Sequence, residues 1–97
     1  MGTYFSRHGS KRLLERSSLT EKEVAQILDD GQAVDIGYEQ GTNRMHRLFY
    51  SHKDRFCFLA VQDMQKGTVI TIMPADNRGK VKHISVDALF MAEQLAR

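Results

Sequence analysis

The sequence predicts an α+β domain with two N-terminal helices, an antiparallel four-stranded β-meander and a C-terminal helix. Three observations carry this. Thr20 with Glu23 three residues on forms a capping box ahead of an apolar pattern at helical spacing. From Ala33 the apolar period shortens to that of strands and stays so through four runs separated by turn signals. Beyond Ile84 the helical period returns. At 97 residues the chain is long enough for one core and too short for two, so residues 1–97 are read as a single domain.

The first helix is placed from about Ser6 to Ser17, with Leu13 and Leu14 as its apolar anchors and Gly9 as a weakening residue. The second follows the capping box, with Leu19 and Val24 at hydrophobic-staple spacing, a buried stripe of Val24, Ile27 and Leu28, and Gly31 as a left-handed C-cap. Ala33 to Tyr38 and Arg44 to Ser51 read as strands joined through a loop containing Gly41. Arg55 to Gln62 is apolar on both faces and reads as a central, covered strand; Gly67 to Met73 is a β-branched run closed by Pro74. The short connections favour antiparallel pairing, because parallel neighbours need a long crossover. Ser85 is a good N-cap for the last helix, whose stripe of Ile84, Ala88, Met91, Ala92 and Leu95 reads as core packing, or else as a dimer or partner surface.

Hydrophobic residues make up 41% and charged residues 27%, ordinary for a folded protein. No apolar run reaches the roughly 18 residues that cross a bilayer, and no signal-peptide pattern opens the chain, so a cytoplasmic protein is expected. The single cysteine, Cys57, lies in an apolar stretch and reads as a small core residue. The net charge of +2 hides an uneven distribution: Glu21 to Glu39 holds six acids against Lys22, a balance of −5 that leaves +7 for the remainder. The bases outside it fall in three clusters, Arg7, Lys11, Arg12 and Arg16; Arg44, Arg47, Lys53 and Arg55; and Arg78, Lys80 and Lys82. Two of them side by side would make a field suited to phosphates; separately they are solvated surface.

Several chemistries lack their residues. His8, His46, His52 and His83 have no metal-ligand spacing, so neither a metal nor another cofactor is implied. The glycines are too scattered for a phosphate-cradling loop, and no serine or cysteine stands with a histidine and carboxylate in an acyl-transfer pattern. His8, Arg12 and Arg16, at i, i+4 and i+8, stack along one side of the first helix; such a row of like charges is eased by solvent or by an anionic partner. On the second strand His46, Leu48 and Tyr50 share one face and Met45, Arg47 and Phe49 the other.

Ser6-Arg7-His8 with Arg12 and Arg16, then Leu19-Thr20-Glu21-Lys22-Glu23-Val24, a helix ending at Gly31, and Val69-Ile70-Thr71 on a strand resemble the small uncharacterised domains allied to RelE-like and barnase-like (BECR-type) toxin ribonucleases. The resemblance covers roughly residues 6–74. Two features depart from it: Ser17-Ser18 stands where the family usually has a single glycine, and the chain is less basic than expected of a ribosome-dependent toxin. Arg78 to Arg97 extends beyond the matched part.

The resemblance implies metal-free RNA cleavage, in which the ribose 2′-hydroxyl attacks the adjacent phosphorus and expels the 5′-oxygen. That step needs a proton acceptor, a proton donor and fixed positive charge. His8 would be the acid or base, since an imidazole ordinarily titrates near neutrality, and Arg12 and Arg16 would hold the phosphate. Thr71 would be a contact from the sheet, and Arg7, Lys11, Arg47 and Tyr50 the further RNA contacts; a buried strand threonine explains Thr71 equally well. The implied partners are RNA and an antitoxin protein. Two alternatives stand beside this: a non-catalytic RNA- or protein-binding module on the same scaffold, and an immunity-like protein working through the acidic Glu21 to Glu39 segment, with Asp29, Asp30 and Asp35 as its contacts.

Overall fold

The computed structural model describes residues 2–75 and 84–97. The elements are β1 (Tyr4–Phe5), α1 (Arg7–Arg16), α2 (Glu21–Asp29), β2 (Val34–Tyr38), β3 (Arg44–Ser51), β4 (Phe56–Asp63), β5 (Thr68–Pro74) and α3 (Val86–Leu95). The α+β class agrees with the sequence reading; the order differs from it in opening on a strand, β1, ahead of the two helices. The third basic cluster, Arg78, Lys80 and Lys82, lies outside the described residues. No helix among the described residues is long and apolar enough to cross a membrane.

The sheet departs from the expected four-stranded antiparallel meander. It has five strands in the order β1-β5-β4-β3-β2, and β1 pairs with β5 in parallel. The extra strand is two residues long, too short for any alternation to show, and its partner is supplied by tertiary contact: Tyr4 N–H donates to the Gly67 carbonyl at 3.2 Å and Ser6 N–H to that of Val69 at 3.0 Å. Gly67 is needed there, with φ at +80° and a hypothetical Cβ only 2.7 Å from the Gly2 carbonyl oxygen. The other pairs are antiparallel, as the short turns require.

Each face of the sheet has its own core. Phe49 and Phe58, Ala60, Val69 and Ile72 point to the side covered by α1 and α2, where they meet Leu13, Leu19, Val24 and Leu28. Leu48, Cys57 and Leu59 point to the other side, where Ala88, Leu89 and Ala92 of α3 cover them. β4 is therefore the covered central strand its sequence suggests. Both halves of the capping box form, and staple residues Leu19 and Val24 are buried together.

Helix phase differs from expectation twice. Leu14 is 85% exposed, leaving Leu13 as the one leucine of α1 in the core. On α3 the docked side is Ala88, Leu89 and Ala92, so Met91 and Leu95 of the expected stripe stand at 54% and 39% exposure.

Candidate functional site

The candidate site is built where α1 lies along β5. Strand β1 covers β5 only at Thr68 and Val69, so the carbonyls of Ile70 and Ile72 turn outward without a strand partner. Two side chains of α1 and its cap meet them: Ser6 Oγ donates to Ile70 O at 3.3 Å and Arg16 Nη1 to Ile72 O at 2.8 Å. Ser6 also caps the helix, accepting from Gly9 N–H. Gly9 permits the approach, because a Cβ there would lie 2.3 Å from Val69 O. The two anchors bracket Thr71, so the helix carrying His8, Arg12 and Arg16 is pinned on either side of that residue.

The predicted residues are thus partly assembled. His8, Arg7 and Lys11 are exposed on α1. Arg12 reaches Glu15 at 2.7 Å, a contact that holds the Glu15 carboxyl below its usual range. Arg16 serves the sheet edge. Thr71, opposite Val61 in register, turns to the α3 side of the sheet, away from the face that α1 covers, so its side chain does not join the α1 row.

Arg47 and Tyr50 do not join them. Arg47 is 8% exposed on the α1/α2 side, donating to Asp35 Oδ1 and Gln62 Oε1, both at 2.7 Å. Gln62 in turn donates to Thr3 Oγ1 and the Gly67 carbonyl, and Thr3 to Asp29, so one polar chain ties β2, β3, β4, the β1 approach and the end of α2. Tyr50 lies on the opposite side, edge-on to His52 at 5.6 Å and packed against the α3 cluster.

Sequence reasoning missed a second cluster. Glu39 closes the β2–β3 hairpin, its N–H on the Arg44 carbonyl, and its carboxylate stands 3.3 Å from His46 Nε2 and 3.9 Å from Arg44 Nη1. It borders a cavity of about 480 Å³ lined by Ile36, Gly37, Tyr38, Glu39 and His46. A bulge between Asp35 and Gly37 shifts the pairing, which places Gly37 opposite His46. His46, Val61 and Thr71 then form one cross-strand row, so His46 and Thr71 share a face about 10 Å apart, two strand spacings. The signal was present: Gly41-Thr42-Asn43 marks the turn, and counting back from it sets Glu39 against Arg44 with His46 two residues on.

The acidic segment is largely occupied within the chain. Asp29 accepts from Thr3, Asp30 from Gln26, Asp35 from Arg47, and Glu23 from Thr20 and Lys53. No family model matches the chain, and neither the curated proteins nor the solved structures yield a match.

Proposed function

We propose that the chain is a metal-independent endoribonuclease of the RelE-like toxin type, acting where α1 meets the β5 edge. The observation that supports this is the anchoring of a strongly basic helix along the open edge of β5. The ten residues of α1 carry Arg7, Lys11, Arg12 and Arg16 against the single acid Glu15, and Ser6 and Arg16 fix that helix to β5. An RNA phosphate on this row meets guanidinium and ammonium donors, with His8 beside them to exchange a proton. In the reaction a base takes the 2′-hydroxyl proton, the 2′-oxygen bonds to phosphorus, and the P–O5′ bond breaks as an acid protonates the leaving oxygen. The products are a 2′,3′-cyclic phosphate end and a 5′-hydroxyl end.

A non-catalytic RNA-binding module is the second reading, favoured by the bonds that already engage Arg12 and Arg16. Incubating the purified protein with total RNA separates the two. Cleavage to cyclic-phosphate ends, reduced at least about 100-fold in His8→Ala, is the result expected of the nuclease. Retention of RNA without cleavage, weakening as salt rises, selects the binding module. Cleavage that survives His8→Ala and fails in His46→Ala moves the chemistry to the Glu39 cluster. Intact RNA with no retention rejects both readings.

A further inference from the structure

A groove of about 420 Å³ opens where the β3–β4 turn faces α3. Leu89, packed on the sheet, and the exposed Val86 and Phe90 give it apolar walls, while Tyr50 and Arg55 bring one hydroxyl and one guanidinium to its lining. Among the described residues neither of these two polar groups has a hydrogen-bond or ion-pair partner. Glu93, the acid on the same lining, is taken up by Arg97, whose Nη2 lies 3.2 Å from its Oε1. Arg55 is also the one non-glycine residue with a left-handed backbone among the described residues, at φ +59°, where it closes the turn with its N–H on the Ser51 carbonyl. Glycine takes that conformation without strain, and a side chain kept on a strained backbone is a recurrent feature of binding sites.

We propose that this groove binds a small aromatic monoanion, its carboxylate held by Arg55 and Tyr50 and its ring or fused rings lying against Leu89 and Phe90. The size fits, because a benzene-sized ring occupies a cavity of about 150 Å³ and small-molecule pockets of this volume, mostly apolar with a few polar groups, are the usual kind. The charge fits as well. A carboxylate offers two acceptors to the fork of a guanidinium and accepts a further bond from a phenol, and apolar walls keep water from that contact. A neutral arene would leave the guanidinium unanswered, and a polyphosphate would set its further charges against the apolar walls. The groove lies on the α3 side of the sheet, apart from the cations of α1.

Titration of the isotope-labelled full chain with naphthoate, followed by amide chemical shifts, tests this directly. Naphthoate should shift the amides of Tyr50, Arg55, Leu89 and Phe90 with a dissociation constant of about 0.1–1 mM, and the uncharged naphthamide should bind about tenfold more weakly. Arg55→Gly should lose about tenfold in naphthoate affinity while melting no lower than the wild type, since glycine suits the backbone at that position. Tyr50→Phe should lose about three- to tenfold, and Phe90→Ala should weaken naphthoate and naphthamide alike. A titration to about 10 mM that moves no groove amide overturns the proposal. So do shifts confined to α1, equal affinity for naphthoate and naphthamide, or an Arg55→Gly variant that binds naphthoate as the wild type does. None of these outcomes depends on RNA cleavage.

Discussion

Arg47 shows how far a residue's chemistry depends on its neighbours. In a list of bases it belongs with the phosphate contacts; in the fold its guanidinium is spent on Asp35 and Gln62. Replacing it with methionine retains most of the volume but leaves the Gln62 carbonyl without its donor and Asp35 without its cation. The expected cost is about 2–3 kcal/mol, less than for a fully buried pair because Asp35 is 41% exposed, and urea unfolding of Arg47→Met measures it. RNA retention per folded molecule should stay unchanged by this substitution, whereas losing Arg7 or Lys11 should lower it. Cys57 is the opposite case, a residue whose sequence setting sufficed: burial and the nearby Glu93 push its thiol up to about 11.

At the scale of elements, the contact of α1 with β5 decides whether the candidate site exists. Gly9 is unfavourable for helix propensity and indispensable for the approach, so Gly9→Ala sets two effects against each other. The helix gains up to about 1 kcal/mol from alanine. The Cβ, 2.3 Å from a backbone oxygen that cannot rotate away, forces the helix outward at a cost of about 2–3 kcal/mol. A net loss of about 1–2 kcal/mol should appear as a melting temperature lower by roughly 5–15 °C, read by thermal circular dichroism. An unchanged melting temperature would mean that α1 is not held where the Ser6 and Arg16 bonds place it.

Elements with a periodic signal were legible in the sequence. The capping box, the staple and the covered strand β4 all follow from residue type and spacing, and the antiparallel turns follow from length. β1 was not legible because two residues carry no period and its partner is supplied by Thr68 and Val69, far along the chain. Helix phase was misread where an apolar residue stands outward, at Leu14 on α1 and Met91 on α3. The candidate site is legible only as a row of residue types on α1 and not as a geometry, since Arg16's bond to a strand carbonyl and Thr71's turn to the α3 side depend on the sheet. Ser17 and Ser18 both bind Asp54, a contact no local pattern announces: Ser17 Oγ donates to it at 2.6 Å and Ser18 N–H at 3.1 Å.

For the whole molecule, Asp54 and Glu23 bind parts that the chain order separates. Asp54 joins the β3–β4 turn to the α1–α2 connection, and Glu23 joins α2 to Lys53 of the same turn. Burial alone raises the Asp54 carboxyl, but hydrogen bonds from Ser17, Ser51 and Ser18 outweigh it and leave the group below its usual range; the Thr20 N–H and then Lys53 lower Glu23. A carboxyl depressed in the folded state contributes stability above its unfolded pKa, and that contribution is lost as pH falls through the folded value. Stability should therefore be level from about pH 6 to 5 and decline below about pH 4, where the unfolded carboxyls take up protons first. Denaturant midpoints at each pH check this, and Asp54→Asn should flatten the decline while lowering the plateau by about 1–2 kcal/mol.

The parallel pairing of β1 with β5 joins residues 64 positions apart. Helix α1, made early, can acquire its seat only after Val69 to Ile72 have emerged from the ribosome, so during synthesis its leucines and its cations face solvent together. Closure of the domain is then one late step across a long loop, slow for a chain of this length, and until it occurs neither the α1–β5 contact nor the outer strand exists. A nascent chain held before that point would lack the candidate site altogether, whatever ligand that site takes.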